Sequence, residues 1–442
     1  MKSNEKNYWY KLDNAGKLYP SIVSTRMTTV FRTTVELFEE VEPKVLQKAL
    51  DSTIERFPYF KVNLHKGLFW YYFEYTDKMP HIEKETYYPS MFMKYKKKET
   101  FPFRILYYKK YINIEFSHSI TDGFGVISFM KTLLVEYFSL QKNLEIKDTK
   151  DILITSSKVE KEECEDAFNR YYNPKAPIPK LKGKAVHFPF PLTKKGKYIL
   201  ISGTVSADKI KKLAKKNECT VTQYITALYM DSIQEYINKL PEKKKKKMTG
   251  RIVINLPVDL RQLFPSRTRK NFFISITPEI DLRLGEYSLE EIIKYLKAYM
   301  TMSINNKNIS RYIARNVKNE KKLYVRLLPL WIKNLIMPIV FSRFGERGYT
   351  SSVSNLGVIR LPQEIEEYVS KVEVYPPPSV ENKIKATIAT YKDKMAICFG
   401  ATVDNTEIEK IFFRKLRKSE VSIKIESNIE LEDNLNLVNQ SY

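Results

Sequence analysis

The 442-residue sequence contains few glycines and few cysteines, and each shortage excludes a class of site. With only 13 glycines it has neither a Walker pattern nor a dinucleotide fingerprint, so nucleotide sites built on glycine-rich loops are excluded. Its three cysteines, Cys164, Cys219 and Cys398, form no close pair. Because their number is odd and zinc or redox spacings are missing, we expect no disulfide framework and no metal site, and a cytoplasmic location.

Long apolar runs are also scarce. Residues 1–16 contain no apolar core of the kind that a secretory signal needs. One run that resembles a membrane segment, Leu327–Phe341, is interrupted by Lys333, Asn334 and Pro338 and is too short to span a bilayer. We therefore expect a buried or interfacial helix there, and peripheral membrane contact stays an open alternative.

The formal charge is +24, but its distribution does not favour nucleic acid as a partner. Of the 75 basic residues 57 are lysines, and they are spread along the whole chain. Base recognition relies instead on arginine forks and on basic stretches with stacking aromatics. The densest run, Lys243–Lys247, follows Pro241 and is typical of a solvated loop. We therefore expect no nucleic-acid partner, whereas a lysine-rich surface equally suits a phosphate-bearing cofactor.

Length and periodicity predict two domains. A chain of 442 residues with 43% hydrophobic residues exceeds one ordinary core. The stretch 176–195 is rich in proline and lysine and is typical of a linker. We therefore predict subdomains at 1–175 and 196–442. Helices and adjacent strands are mixed in both halves, which predicts an α/β (α+β) two-layer sandwich with mixed or antiparallel sheets.

His118 lies in the stretch FSHSITDGFG, residues 116–125, at the end of a predicted strand. An apolar helical face begins after Gly125. Imidazole titrates near neutral pH, so His118 is a candidate general base, while the carboxylate of Asp122 could point at the ring or away from it. The motif brings no nucleophile and no GxSxG is present. This favours a reaction whose substrate supplies the nucleophile, such as acyl transfer to a hydroxyl or an amine.

HSITDG resembles the HxxxDG motif of the chloramphenicol acetyltransferase-like acyltransferases, which include peptide-synthetase condensation domains and alcohol acetyltransferases. Three more stretches stand in the order of that family: PFRILYY from Pro102, NLPVDLRQLFPSRTRKNFF from Asn255 and TSSVSNLGVIRLP from Thr350. The opening run, from Trp9 through LDNAGKLYP to RFPYFKVNLHKGLFW, is most similar to alcohol acetyltransferases. Condensation domains have a second histidine where this chain has Ser117, so the resemblance argues against the peptide-forming branch.

The resemblance implies two chloramphenicol acetyltransferase-like subdomains with a tunnel between them, which donor and acceptor enter from opposite faces. His118 would take the proton from the acceptor. Asp122 would point away from the ring and pair with an arginine, for which Arg261 is the candidate. Gly123 would leave room beside His118. Ser352, Ser354 and Asn355 would bind substrate, with either serine offering its hydroxyl to the oxyanion.

The resemblance also implies the partners. The acceptor would be a small-molecule alcohol or amine, and acetyl-CoA or another acyl-CoA would be a co-substrate, with no bound cofactor or metal and a monomeric chain. Two alternatives stay open: an acyltransferase or condensation-like enzyme whose donor is an acyl carrier protein, and a non-catalytic binding protein of the same fold.

Overall fold

A computed structural model of the chain describes residues 9–94, 100–147, 150–180 and 183–429. The strands are β1 Trp9–Lys11, β2 Val30–Leu37, β3 Val62–Lys66, β4 Tyr71–Tyr75, β5 Ile82–Lys84, β6 Phe103–Tyr108, β7 Tyr111–Ser117, β8 Ile199–Ser206, β9 Arg251–Asp259, β10 Phe273–Ile276, β11 Glu279–Asp281, β12 Ser351–Ile359, β13 Val369–Tyr375, β14 Ile384–Tyr391, β15 Lys394–Ala401 and β16 Lys424–Ser427. The helices are α1 Tyr19–Ile22, α2 Pro43–Arg56, α3 Gly123–Lys142, α4 Ala167–Arg170, α5 Ala207–Lys216, α6 Val221–Asn238, α7 Glu242–Lys245, α8 Leu289–Ser303, α9 Asn306–Lys321, α10 Leu323–Leu327, α11 Leu330–Val340, α12 Gln363–Glu366 and α13 Glu407–Lys418.

The first sheet has the strand order β13-β2-β7-β6-β5 and supports the His118 turn. β6 and β7 are antiparallel, with Phe103 opposite Phe116, and Lys109 adopts φ 48° in the turn between them. The strand predicted before His118 and the helix predicted after it are therefore confirmed. α2 and α3 cover this sheet, and their apolar side chains join a core that contains Phe60 and Phe129.

The second sheet has the order β10-β9-β12-β14-β15-β8-β16, with β11 also paired to β9. It is mixed, since β12 runs parallel to both β9 and β14 while the other pairs are antiparallel. α6, α8 and α13 pack over it around a second core. The expected mixed and antiparallel sheets are confirmed.

Two strand predictions in this half were wrong in extent. The pattern of FFISITPEIDL, residues 272–282, predicts one strand, but the stretch forms β10 and β11, because Pro278 between them has no N–H to donate to the ladder. The pattern of residues 383–401 likewise predicts one strand, but they form the hairpin of β14 and β15, which turns at Lys392 with φ 53°.

One strand crosses the predicted subdomain bounds. β13 lies late in the chain but pairs antiparallel with β2 in the first sheet, with Val372 opposite Val35. Val372 and Val374 accordingly join the first core. The bounds 1–175 and 196–442 stay a prediction, and a single cut at the linker would separate β13 from its sheet.

α3 also passes a test of length and composition for a membrane-spanning helix, and it is the one helix of the described residues that does. Just over half (56%) of its most apolar stretch is buried inside the protein. Val126, Phe129, Met130 and Leu133 lie in the first core with no exposed surface, which is typical of the central helix of a folded domain.

Candidate active site

The His118 turn is fixed at both of its ends. His118 follows β7 and donates its backbone N–H to the Thr29 carbonyl at 2.9 Å. Four residues later Asp122 caps α3, since its Oδ1 accepts from the Gly125 N–H at 3.2 Å. An aspartate cap satisfies one of the free N–H groups at the start of the helix. The turn is therefore a rigid connection between a central strand and a core helix.

His118 opens onto a cavity of about 240 Å³ that lies between the two sheets. Thr29, just before β2, and Phe31 of β2 line it from the first half, and Asn255 and Thr387 line it from the second sheet. A cavity walled by both halves is what the predicted tunnel requires, and it brings together every residue that the sequence analysis selected: His118, Asp122, Gly123, Arg261, Ser352, Ser354 and Asn355. Their catalytic and binding roles stay predictions.

Aromatic rings surround the imidazole. The ring of Phe31 lies 4.4 Å from that of His118 between centroids, and the rings of Tyr19 and Phe273 lie at 5.3 and 5.9 Å. This burial lowers the pKa of His118 from 6.5 to about 4, and the positive charge of Lys385 adds to the lowering. His118 is consequently a neutral imidazole at physiological pH, which is the form that accepts a proton.

Asn271, which comes from the second half of the chain, contacts Nδ1 of the His118 imidazole. Its Nδ2 donates to the His118 carbonyl oxygen at 2.9 Å and to Asp13 Oδ2 at 3.0 Å, so its Oδ1 faces Nδ1 of the imidazole at 3.4 Å. An oxygen opposite Nδ1 requires the proton on that nitrogen, and we assign the lone pair to Nε2. Asp13 is fully enclosed, and burial raises its pKa to about 7.

Asp122 points away from the imidazole and pairs with Arg261. Its Oδ2 lies 3.0 Å from Nη1 of Arg261, its Oδ1 lies 3.3 Å from Nη2, and both side chains are buried. The Phe272 N–H also donates to Oδ2 at 2.9 Å. The guanidinium in turn donates to the carbonyls of Thr268 and Lys270. The expected pair is therefore present, and it ties the segment after β9 to the motif turn.

Glycines allow this segment to approach closely. A Cβ on Gly125 would overlap the Thr121 hydroxyl and the Arg269 carbonyl oxygen, and that hydroxyl itself donates to the same carbonyl at 2.5 Å. A Cβ on Gly123 would meet the end of the Leu356 side chain, which belongs to β12. The two halves thus contact each other through the backbone of the motif.

The late strand β12 supplies the opposite wall. Ser352 and Ser354 line the cavity, beside Asn255 of β9 and Thr387 of β14 respectively. Asn355 has two protein partners, since its Nδ2 donates to Thr222 Oγ1 at 2.8 Å and its Oδ1 accepts from the Gly357 N–H at 2.9 Å. The serines are therefore better candidates than Asn355 for contact with a substrate.

Sequence reasoning missed four residues at the site: Asp13, Tyr19, Asn271 and Lys385. Three of them lie in stretches whose resemblance to the family was visible, LDNAGKLYP for Asp13 and Tyr19 and RKNFF for Asn271. Lys385 lies in β14, and burial lowers its pKa while its Nζ donates to the Pro377 carbonyl at 3.2 Å. No local pattern marks a lysine at the start of a strand as one that faces a cavity.

Comparison with solved structures identifies the fold. The trichothecene 15-O-acetyltransferase TRI3 of Fusarium sporotrichioides superposes with a TM-score of 0.60 at 10% identity, over 95% of this chain and 96% of that one. The chain has the chloramphenicol acetyltransferase-like fold. Fusarium graminearum TRI101, solved with coenzyme A and T-2 mycotoxin, shares this fold (TM-score 0.60, 9% identity, 94% and 99% coverage). The first condensation domain of the CDA synthetase does so too (0.57, 10%, 94% and 96%).

Comparison by sequence gives a narrower match. The alcohol acetyltransferase family model matches residues 189–277, a region that contains β8, β9, Arg261 and Asn271. No curated protein matches the chain significantly. Within the described part of the chain, no group of three or more His, Cys, Asp or Glu side chains is placed to hold a metal ion.

Proposed function

We propose that the chain transfers an acyl group, in the simplest case acetyl, from an acyl-CoA thioester to the hydroxyl of a small-molecule alcohol. One observation carries the proposal: a neutral histidine, with Nδ1 turned towards Asn271, opens onto a cavity walled by both halves of the fold. The match of residues 189–277 to alcohol acetyltransferases supports the alcohol as acceptor. Coenzyme A in the TRI101 structure supports the donor.

In the proposed step the acceptor oxygen attacks the thioester carbonyl carbon while its proton passes to Nε2 of His118. The tetrahedral intermediate then collapses, the C–S bond breaks, and the departing thiolate takes the proton back from the imidazolium. The products are an ester and free thiol, and His118 returns to its neutral form. Asn271 keeps Nε2 available throughout, and a serine hydroxyl of β12 is the proposed partner of the oxyanion.

Asp122 has a structural part in this proposal. It is buried against Arg261 and the Phe272 N–H, so its carboxylate is already occupied and serves to hold the motif turn against the second half. The protein supplies a fixed base in a cavity between its two halves, and the substrates supply the nucleophile and the electrophile.

A thiol-release screen tests the proposal. Acyl-CoA donors of several chain lengths, and an acylated carrier protein, are crossed with a panel of alcohols and amines. We expect thiol release to require both an acyl-CoA and an alcohol. Release from the carrier protein alone, or transfer to amines alone, would replace the proposal with the corresponding alternative. Binding of coenzyme A by calorimetry with no turnover on any pair would indicate a non-catalytic binding protein.

A further inference from the structure

α11 carries its apolar residues on the outside of the protein. Trp331, Leu335 and Ile339 follow one another at four-residue intervals along one face and are 70%, 68% and 66% exposed. The side that faces the protein carries Lys333, which is 3% exposed, and Asn334. A surface helix of a water-soluble protein has the opposite arrangement, with its apolar stripe on the core.

Polar contacts fix this inverted orientation. Lys333 Nζ donates to the Phe69 carbonyl at 2.7 Å and lies 3.5 Å from the centroid of the Trp70 ring. Asn334 Nδ2 donates to the Tyr71 hydroxyl at 3.0 Å. Rolling the helix to bury its apolar face would break these contacts and expose a lysine that is already satisfied. The outward apolar face is therefore a stable feature of the fold.

The neighbouring short helix extends the same kind of surface. In α10 the side chains of Leu323, Tyr324 and Leu327 are 68%, 69% and 57% exposed. Beside the start of α11, Leu68 is 73% exposed, and its carbonyl accepts the Leu330 N–H at 2.9 Å. We call α10, α11 and Leu68 together the apolar face. Exposed apolar side chains concentrated in this way mark a surface that contacts another protein or a membrane.

The segment that carries most of the apolar face has charge of one sign. Residues 321–345 contain five Lys or Arg, of which Lys333 is buried, and no Asp or Glu, in a chain whose net charge is +24. Lys322 and Arg326 are exposed beside the apolar side chains. A second copy of the chain would bring the same positive charge against this face and be repelled. An anionic lipid headgroup layer complements both the basic residues and the apolar residues.

We propose that the apolar face seats the protein on the surface of an anionic lipid bilayer. α11 has 11 residues and is about 16 Å long, too short to cross the hydrocarbon core, so it lies in the plane of the interface. Trp331 is suited to the headgroup level of the bilayer, because its ring is apolar and its indole N–H is polar.

The apolar face lies next to the cavity. α11 continues into Phe341, which lines the cavity with Glu346, and α11 packs on α1, which carries Tyr19. If the proposed acyl transfer is right, an apolar alcohol dissolved in the bilayer would have a short path to His118. Membrane binding itself needs no turnover, so its measurement is independent of that reaction.

Flotation with lipid vesicles tests whether the apolar face binds a membrane, and it needs no substrate. Full-length protein is mixed with phosphatidylcholine vesicles that contain or lack phosphatidylserine. The triple variant Trp331→Ser, Leu335→Ser, Ile339→Ser is tested in the same way. Because these side chains are exposed, the variant should fold, which its thermal midpoint checks. The matched control removes three exposed apolar side chains elsewhere, as Phe38→Ser, Leu284→Ser, Met302→Ser, which are 64%, 81% and 70% exposed in the wild type.

We expect the wild type and the control to float with the phosphatidylserine vesicles, and the triple variant to lose about tenfold or more in partition coefficient. Wild-type protein that stays unbound would overturn the proposal, as would equal binding by the triple variant. Light scattering without lipid gives a further outcome. If the wild type is a dimer and the triple variant is a monomer, the apolar face is the interface with a second copy of the chain. That result would contradict the proposed membrane binding.

Discussion

Asn271 is joined to His118 through both ends of its amide. Nδ2 donates to the His118 backbone carbonyl at 2.9 Å, while Oδ1 faces the imidazole Nδ1 at 3.4 Å. The same amide nitrogen reaches Asp13 at 3.0 Å. Since Asn271 comes from the second half of the chain, the orientation of the base depends on the assembly of both halves.

Asn271→Ala should therefore lower kcat while leaving KM nearly unchanged. Loss of the amide frees the imidazole to rotate and to take the other tautomer, and a misplaced catalytic group costs about ten- to a hundredfold. The hydrogen bond that Nδ1 donates to Asn271 Oδ1 also raises the pKa of His118, so its loss should move the acid limb of the pH profile to lower pH. Steady-state kinetics across pH check both effects, and an unchanged kcat with an unchanged limb would show that Asn271 does not position the base.

Asp122→Asn should destabilise the fold much more than Asp259→Asn does. Both carboxylates bond Arg261, but Asp122 is buried whereas the Asp259 side chain is 43% exposed. Removing one partner of a buried pair costs about 3–5 kcal/mol, whereas an exposed pair contributes about 1 kcal/mol or less. Urea unfolding of both variants measures the difference. Equal losses would mean that the Arg261–Asp122 pair does not hold the two halves together.

Gly125→Ala should prevent folding or destabilise the protein strongly, and Gly123→Ala should be milder. The new methyl at Gly125 overlaps a backbone carbonyl, that of Arg269, which cannot move without separating the halves. At Gly123 the obstacle is the end of the Leu356 side chain, which can rotate. Soluble yield and thermal midpoints compare the two variants. A Gly125→Ala variant more stable than Gly123→Ala would contradict the close contact at Gly125.

The acid limb of the pH–activity profile should lie at a pH well below the pKa of an ordinary histidine. Burial lowers the pKa of His118 to about 4, so the ring stays neutral and kcat/KM should stay level as pH falls through 6.5. Lys385→Met removes a positive charge that opposes the imidazolium, so the pKa of His118 should rise and the limb move to higher pH. Circular dichroism at each pH separates this effect from unfolding.

The matched control for this shift is Lys392→Met, at the exposed turn between β14 and β15. It removes the same charge from the same hairpin but far from the imidazole, and it should leave the limb in place. A wild-type limb near pH 6.5, or a shift of the Lys385 variant towards lower pH, would show that burial and Lys385 do not set the pKa of the base.

The parts of the site that are local in sequence could be predicted from it. His118, Asp122 and Gly123 fall within one turn between a strand and a helix, so alternation in β7 and the apolar face of α3 located them. Arg261 could be predicted as well, because the resemblance extends to PVDLR. Its contact with Asp122 links positions 139 residues apart, and only the folded structure gives its geometry.

The rest of the fold depends on pairings that no local pattern encodes. β13 has the alternation of any strand, and only the folded structure shows that it pairs with β2. Asp13 and Asn271 are ordinary polar residues until tertiary contact encloses them beside His118. The inverted α11 has the composition expected of an apolar helix, and only its contacts to Phe69 and Tyr71 determine which side faces outward.

The central claim is that His118 is the base of an acyl transfer, and His118→Ala tests it most directly. Thiol release is measured under saturating acyl-CoA and the best alcohol from the screen, with His81→Ala as control, since His81 is exposed and lies outside the cavity lining. We expect a loss of about a hundredfold or more in kcat for His118→Ala and wild-type turnover for His81→Ala, with equal thermal midpoints. Full activity of a folded His118→Ala protein would contradict the claim.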